Sequence, residues 1–441
     1  MTASRNSIRG LRAALISNSE PTAEIVALAE SALSRANSNP SHNSYLWRDE
    51  AWTLSEARRA AEIFAANSGK VGESRPALFG IPISVKDCFD LAGTPTTCGT
   101  KFYRDRNGIA NQDSWLVETL RHAGAVIIGK THLHPLAYGI TGENPDFGDC
   151  LQPGDPSALT GGSSSGAAAS VMEGSAMAAI GTDTGGSVRV PAALCGIAGY
   201  RASLGRGDWR GGAHLAESFD TFGWLFRDLE DGPLLGSIYG PTNSTGLKLP
   251  TSFAVIHEDF LHDCEPGVVA SLRRCQAELE SLGLTASTVD VSWWAPSREI
   301  FAPIQASEAA RLHRGNYAAF ESSIRQRLEW GASLSDETLA GLRQQHSEFR
   351  QRMDALLAEH QLLLLPAAPV ARLAAGADHS QTRARLLRYT APVSLAGMPA
   401  VTIPYLEDGQ PAGGAQLVAA REEDAILLAI AAAVGAARKT A

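Results

Sequence analysis

The hydrophobic pattern along the chain predicts helices in two separate stretches. Between residues 8 and 66, apolar residues recur every three or four positions, and Pro21-Thr22 is a typical start of a helix. We therefore expect an N-terminal helical collar over 8–66. The same period returns over 265–360, a mainly helical part with helices expected at 268–282, 307–329 and 339–359 and one strand near 285–291.

Short apolar runs between glycine-rich loops predict β-strands in the other two stretches. Over 78–231 these runs are FGIPISVKD, GAVIIGK and AMAAIGTD, with a helix at 115–123 before the second. Over 361–437 they are LLLLPAAPV, MPAVTIPYL and GAQLVAA, followed by a final helix at 424–437. Strands that alternate with helices predict an α/β fold, in which helices cover both faces of a twisted, mixed and mostly parallel sheet.

Composition favours one large globular domain over residues 1–441. Apolar residues make up 44% and charged residues 19% of the 441 positions, and no repeat or Pro/Gly/Ser linker divides them. The formal charge of -9 and the lack of a Lys/Arg run argue against nucleic acid as a partner.

The cysteine and hydropathy patterns indicate a cytoplasmic protein. The six cysteines form no C-x-x-C pair, and no signal peptide or apolar run of membrane-spanning length is present. His132 and His134 are two positions apart, a spacing at which two side chains of a strand point to the same side and can bind a metal. No acidic or cysteine residue lies nearby at ligand spacing. We expect no membrane association, no metal and no cofactor.

Three segments carry the candidate chemistry: SVKD at 84–87, GGSSSG at 161–166 and GTDTGGS at 181–187. Lys86 follows an apolar run, and burial there would lower its pKa towards a value at which the neutral amine acts as a base. Asp87 would oppose that shift if it faced the lysine, so the sequence leaves the pKa open.

The two glycine-rich segments suit a nucleophile and its supporting amides. GGSSSG precedes an apolar run and is typical of a helix N-terminus. In GTDTGGS, two glycines precede a serine, so consecutive N–H groups can converge on the oxyanion of a tetrahedral intermediate. Pro191 then suits the first turn of a new helix.

Lys86, Ser163 and Ser187 match in order and spacing the catalytic lysine, bridging serine and nucleophilic serine of the amidase signature family. The two serines are 24 residues apart, as in that family. The resemblance covers nearly the whole chain and includes LRAALISNSEPTAEIVALAESAL, GIPISVKDCFDLAGTPTT, LRHAGAVIIGKTHLH, DTFGWLFRDLED and SLAGMPAVTIPYL. The chain is therefore similar to a serine amidase throughout.

The resemblance implies a relay in which neutral Lys86 accepts the proton of Ser163 while Ser163 accepts that of Ser187. Ser187 would form the acyl-enzyme, and Ser163 would lie on a cis peptide. The resemblance also implies an oxyanion hole built from the amides of Thr184, Gly185, Gly186 and Ser187. The expected substrate is a small-molecule amide, and a homodimer is compatible with the family.

Departures from the family pattern affect the expected substrate contacts. Ser165 and Pro135 stand where the family has glycine and an acidic residue, and SLAGMPA lacks the usual asparagine. Bulky aromatic residues at 224 and 226 replace the proline and the small residue of the family. They either narrow the acyl pocket or pack in the core, and packing in the core is favoured. The candidate substrate contacts are Ala137, Tyr138, Gly162, Trp224 and Phe226.

Other interpretations remain open at this point. G-x-S-x-G at 162–166 would make Ser164 the nucleophile of an α/β-hydrolase esterase, but the preceding GDPSALTG is typical of a turn-rich loop rather than the strand that fold requires. A non-catalytic binding subunit is disfavoured because the lysine and both serines are present. A glutaminase subunit of an amidotransferase complex is the main alternative. Arg189 either binds a substrate carboxylate or, as favoured, ties its loop to Asp183.

Overall fold

The strands of the chain form a large sheet and a small one. The computed structural model describes residues 7–18, 21–38, 40–67, 76–240 and 248–440. The strands are β1 (Tyr45–Trp47), β2 (Pro82–Lys86), β3 (Val126–Thr131), β4 (Leu151–Gln152), β5 (Asp155–Leu159), β6 (Ala178–Asp183), β7 (Ala198–Arg201), β8 (Thr221–Phe226), β9 (Ser252–Ile256), β10 (Thr285–Val289), β11 (Leu362–Pro366), β12 (Leu373–Ala374), β13 (Ala400–Glu407) and β14 (Gln410–Ala419).

Helices surround these sheets and connect many of their strands. They are α1 (Ile8–Ser17), α2 (Pro21–Ser38), α3 (Glu50–Asn67), α4 (Lys101–Asn107), α5 (Trp115–His122), α6 (Ser165–Glu173), α7 (Arg189–Leu194), α8 (Gly232–Ser237), α9 (Pro266–Ser281), α10 (Ser297–Leu312), α11 (Ser322–Ser333), α12 (Asp336–His360), α13 (Ser380–Ala396) and α14 (Asp424–Thr440). None of the helices within the described ranges is long and apolar enough to cross a membrane.

The large sheet is mixed, and most of its strand pairs are antiparallel. Its eleven strands run in the order β1-β3-β2-β6-β8-β7-β13-β14-β11-β9-β10. The pairs β3–β2, β2–β6, β11–β9 and β9–β10 are parallel, and the other six are antiparallel. The prediction of a mixed sheet is confirmed, and the prediction that parallel pairs predominate is wrong. The reason is that β8, β7, β13 and β14 join as antiparallel neighbours in the middle of the sheet.

Helices cover both faces of the sheet, as the apolar runs predict. Every residue of β2, β3, β6, β8 and β11 is buried, and successive side chains of a strand point to opposite faces. One cluster of buried apolar side chains includes Ile8, Ile83, Leu272 and Leu363, one from each of the four stretches recognised in the sequence. The chain therefore folds as one domain around a shared core.

The parallel strands β2, β3 and β6 place the candidate residues at one edge of the sheet. Val85 pairs with Lys130 on one side and with Ile180 on the other, so these strands are in register. Lys86 ends β2 and Asp183 ends β6. Because carboxyl ends of parallel strands meet at the same edge, the lysine lies beside the loop that carries Ser187.

Several predicted elements differ from those observed. The helix expected over 307–329 is two helices, α10 and α11, because Gly315 has φ +84 and the chain turns there. GDPSALTG contains β5, which pairs with β4 and β12 in the small sheet. The helical collar over 8–66 is interrupted by β1, which pairs with β3. Strand β8 and helix α13 were not predicted, and α13 contains Pro392, which interrupts a helical pattern.

Candidate active site

Lys86 is a fully buried lysine whose contacts are all hydroxyl groups. Its ammonium donates to Oγ of Ser163 at 2.7 Å, to Oγ of Ser164 at 3.1 Å and to Oγ1 of Thr182 at 2.6 Å. None of these groups carries a negative charge that would hold the proton on the amine. Burial lowers the pKa of Lys86 from 10.5 to about 8.

Asp87 turns away from Lys86 and pairs with another lysine. One of its carboxylate oxygens lies 2.6 Å from Nζ of Lys130, and the other accepts from the amide of Thr97 at 3.1 Å. Lys86 is the last residue of β2 and Asp87 the first of the turn that follows, so their side chains leave the backbone in different directions. The question that the sequence left open is answered: Asp87 does not prevent the fall in the pKa of Lys86.

The three serines at the start of α6 have different surroundings. The Gly162–Ser163 peptide bond is cis. Ser164 donates its hydroxyl proton to the carbonyl of Thr182 at 3.1 Å and is fully buried, so it is not placed as a nucleophile. Although β5 precedes this loop, the strand belongs to the small sheet and the Ser164 hydroxyl is enclosed.

Ser165 and His132 hold this loop against the neighbouring strand. His132 Nε2 lies 2.8 Å from the carbonyl of Gly148 and Nδ1 lies 3.0 Å from Oγ of Ser165. Burial lowers the pKa of His132 to about 4, so Nε2 donates to Gly148 and Nδ1 accepts from Ser165. The extra hydroxyl of Ser165 is thus a structural contact.

Asp183 organises the loop that carries Ser187. It accepts from the amides of Gly186 at 2.8 Å and Val188 at 3.1 Å, from Nε and Nη2 of Arg189 at 3.0 and 2.8 Å, and from Nη1 of Arg201 at 2.9 Å. Burial alone would raise the pKa of Asp183, but the two guanidinium groups hold it far below its usual range. The predicted structural role of Arg189 is confirmed.

Of the four backbone amides predicted to form the oxyanion hole, one donates a hydrogen bond within the described part of the chain and three do not. The N–H of Gly186 donates to Asp183, so its predicted place in an oxyanion hole is wrong. No hydrogen bond to the described part of the chain uses the amides of Thr184, Gly185 or Ser187. Gly186 has φ +123, and a Cβ there would lie 2.9 Å from Thr390, so both backbone conformation and space require glycine.

Ser187 and Ser163 lie on adjacent segments. The amide of Ser164 donates to the carbonyl of Ser187 at 3.2 Å, which joins the two loops next to Lys86. Across the residues that the structure describes, no hydrogen bond links the two hydroxyls of Ser163 and Ser187. Ser163 is fully buried, whereas Ser187 retains 5% exposure and faces a cavity.

The cavity beside Ser187 is small, about 40 Å³, and mostly apolar. Two of the candidate substrate contacts, Ala137 and Tyr138, line it. Gly162 does not, and its amide donates to the carbonyl of Ile140 at 2.8 Å. Trp224 and Phe226 are fully buried on β8, and Trp224 stacks on Tyr239 at 5.8 Å between ring centroids. As substrate contacts these two are wrong, and the favoured core interpretation holds.

Comparison with known proteins assigns the family. The family model described as Amidase matches residues 27–428. The chain belongs to the amidase family. A similar relative of this amidase is a glutamyl-tRNA(Gln) amidotransferase subunit of Microcystis aeruginosa, which is 30% identical over 92% of this chain and 91% of its own.

Solved structures of the family share the fold described above. A crystal structure of an amidase matches with a TM-score of 0.83 and 30% identity, over 94% of this chain and 96% of its own. A glutamyl-tRNA(Gln) amidotransferase subunit from Thermotoga maritima matches with a TM-score of 0.79 and 26% identity, over 97% of this chain and 94% of its own. The predicted resemblance and the single α/β domain are confirmed.

Three residues of this amidase that the sequence reasoning missed also face the site. Thr182 contacts Lys86, and Arg327 and Arg383 line the Ser187 cavity. A polar residue near the end of the apolar run AMAAIGTD was a signal for Thr182. The arginines lie on α11 and α13, and nothing in their local sequence distinguishes them from surface arginines. Within the described ranges, no three His, Cys, Asp or Glu side chains converge as ligands for a metal.

Proposed function

We propose that this amidase hydrolyses a carbon–nitrogen amide bond through an acyl-enzyme on Ser187. The observation that supports it most directly is Lys86, a buried amine without a carboxylate partner that lies 2.7 Å from Oγ of Ser163. Burial disfavours the charged form of the amine, so a lysine in this position is suited to act as a base.

The relay begins with the neutral amine of Lys86, which accepts the proton of Ser163. Ser163 accepts the proton of Ser187 in the same step, and Ser187 Oγ attacks the amide carbon. The leaving amine takes a proton back from Ser163. Water then attacks the ester through the same relay and releases the acid, so the chain's own side chains carry every proton transfer.

The oxyanion of each tetrahedral intermediate would bind to the amides of Thr184, Gly185 and Ser187. These three N–H groups have no partner in the described part of the chain, whereas that of Gly186 is held by Asp183. Removing one oxyanion donor typically costs about 100- to 1000-fold in rate. Asp183 would therefore act by positioning, since it fixes the loop that presents the donors.

A second candidate function is the glutaminase subunit of an amidotransferase complex. The curated relatives at about 30% identity are named as a subunit of glutamyl-tRNA(Gln) amidotransferase, which favours this alternative. The same Ser187 chemistry would then release ammonia from glutamine for use by a partner. The two functions share a mechanism and differ in the substrate and in the need for a second subunit.

Ammonia release from a panel of amides, measured on the purified chain, tests the proposal. We expect turnover by the chain alone and loss of turnover in Ser187→Ala, with a mass increase equal to the acyl group on the wild-type chain. Ser164→Ala is the matched control and should retain turnover, with only the shift to lower pH expected from losing one hydroxyl partner of Lys86. Full activity of Ser187→Ala would overturn the proposal, and strict dependence on a second subunit would favour the glutaminase.

A further inference from the structure

Two arginines line the cavity beside Ser187, and none of the described residues that line it is acidic. Arg327 comes from α11 and Arg383 from α13, and the other polar side chains of the lining are those of Tyr138, Ser187 and Gln305. Two positive charges in a small, mostly apolar cavity are unfavourable unless something negative pairs with them. The chain supplies no such group among the residues that line the cavity.

The guanidinium groups have unused hydrogen-bond donors. Arg327 donates through Nη1 to the carbonyl of Tyr138 at 2.6 Å and through Nε to that of Ser323 at 3.1 Å, and it packs 4.2 Å from the Tyr138 ring centroid. Its Nη2 and the Nε of Arg383 are buried and have no partner in the described ranges. The Arg327 guanidinium is held in place by its other contacts, and both arginines keep a buried donor that is unsatisfied within the described ranges, as expected of groups that bind a ligand.

Two fully buried arginines near Ser187 show how a structural arginine is paired in this chain. Arg189 and Arg201 are fully buried, and both pair with the carboxylate of Asp183. Further acceptors satisfy the remaining donors of Arg189, among them Gln416 at 2.6 Å. Neither Arg327 nor Arg383 forms such an ion pair with a residue that the structure describes, and Glu321, whose charge acts on Arg327, does not line the cavity.

The electrostatic effect of the pair reaches the catalytic region. Burial, together with the positive charge of Arg383, lowers the pKa of Arg327 to about 10. Burial also lowers the pKa of His134 well below its usual value, and both arginines add to that shift. The amide of His134 donates to the carbonyl of Ser163 at 3.2 Å, so the two charges lie near the relay.

We propose that Arg327 and Arg383 bind a carboxylate of the substrate, which makes the substrate a short-chain monoamide of a dicarboxylic acid. This inference rests on the proposed amide hydrolysis at Ser187. Arg is suited to the role because its planar fork matches carboxylate geometry. Glutamine also has a carboxylate, but its α-ammonium group would face two arginines with no acidic residue in the lining to balance it.

Three amides of the same carbon chain test the charge requirement on the wild-type protein. Glutaramate has the carboxylate alone, glutamine adds the α-ammonium, and pentanamide has a methyl group in place of the carboxylate. We expect kcat/KM to be highest for glutaramate, by roughly 10- to 100-fold over pentanamide. Equal or faster turnover of pentanamide or glutamine would overturn the inference and leave the proposed hydrolysis intact.

Variants of the two arginines locate the effect. Arg383→Met and Arg327→Met should raise KM for glutaramate by roughly 10- to 100-fold and change KM for pentanamide much less, because pentanamide has no carboxylate to lose. Arg383→Lys should recover part of the loss, and the exposed Arg314→Met is the matched control. If Arg327→Met fails to fold, Arg383→Met decides the question, and an unchanged KM for glutaramate in that variant would contradict the proposal.

Binding provides a readout that does not depend on turnover. Glutarate, the dianionic product of glutaramate hydrolysis, should bind saturably to the wild-type chain in a calorimeter and roughly tenfold more weakly or worse to Arg383→Met. If no amide is hydrolysed but glutarate binds in this way, the proposed hydrolysis fails and the carboxylate site stands. Absence of saturable glutarate binding would overturn the site itself.

Discussion

Two lysines lie fully buried on neighbouring strands, and they differ in what faces them. Lys86 on β2 contacts three hydroxyl groups, whereas Lys130 on β3 pairs with the carboxylate of Asp87 at 2.6 Å. Val85 and Lys130 are partners in the strand register, so the two amines differ little in position along the sheet. They have the same side chain and the same burial but different partners.

The comparison indicates that the surrounding charges, rather than burial alone, decide which lysine can act as a base. Where hydroxyls are the only partners, burial lowers the pKa of Lys86 to about 8. Roughly a tenth of such a group is neutral at pH 7. Where a carboxylate faces the amine, as Asp87 faces Lys130, the pair serves the structure. Four predictions test this difference between Lys86 and Lys130, and they are given from the largest expected effect to the smallest.

Lys86→Met should lower kcat/KM by about 100- to 10,000-fold, because the base of the relay is lost while the shape of the side chain is largely kept. Steady-state ammonia release measures the effect. The fold should remain intact by circular dichroism, so the loss is chemical. Turnover within tenfold of wild type would remove Lys86 from the mechanism.

Lys130→Met should lower the free energy of unfolding by about 3–5 kcal/mol, because it leaves the carboxylate of Asp87 buried without its cation. Urea unfolding measures the change. The folded fraction should keep near-normal kcat. Adding Asp87→Asn to Lys130→Met should restore part of the stability, and a single variant as stable as wild type would show that the pair is not structural.

Lys86→Met should make the chain more stable at pH 7, on the order of 1–3 kcal/mol, which is the opposite of the effect at Lys130. The pKa of Lys86 is about 8 when folded and 10.5 when unfolded, so between these values the unfolded chain binds more protons. Wild-type stability therefore rises through this window, and the advantage of the variant shrinks. Urea unfolding at a series of pH values measures it, and an advantage that stays constant with pH would contradict the assignment.

Thr182→Val should move the activity profile to lower pH by about 0.5 to 1 pH unit. Wild-type kcat/KM should rise with pH around a midpoint of about 8, as Lys86 loses its proton. The Lys86 ammonium donates to Oγ1 of Thr182 at 2.6 Å, so loss of this acceptor disfavours the charged amine. Thr182→Ser keeps a hydroxyl and should keep the wild-type midpoint. A shift to higher pH would contradict this account.

Local patterns predicted the elements near the site better than the sheet that joins them. The fully buried strands β2, β3 and β6 are continuous apolar runs in the sequence, and the resemblance predicted Lys86, Ser163 and Ser187 as the site residues. The excess of antiparallel pairs was not predictable, because strand direction depends on which strands become neighbours. That order is set by contacts such as β7 with β13, about 200 residues apart.

Details of the site also depended on contacts between distant residues. The amide of Gly186 looked equivalent to its neighbours in the sequence, but the carboxylate of Asp183 occupies it. Trp224 and Phe226 were candidate substrate contacts although core packing was favoured, and β8 places them in the core. Arg327 and Arg383 reach the cavity from helices that lie far along the chain from Ser187, so no local spacing indicates them.

The arginines and the relay lie on different parts of the chain, and this division bears on how the enzyme can change. The lysine, both serines and Asp183 lie within residues 86–187, whereas the arginines come from α11 and α13. Substitutions on those two helices can therefore alter the charge of the cavity without disturbing the buried hydroxyl contacts of Lys86. Such an arrangement allows new substrates to be acquired by mutation while the bond-breaking machinery is inherited unchanged.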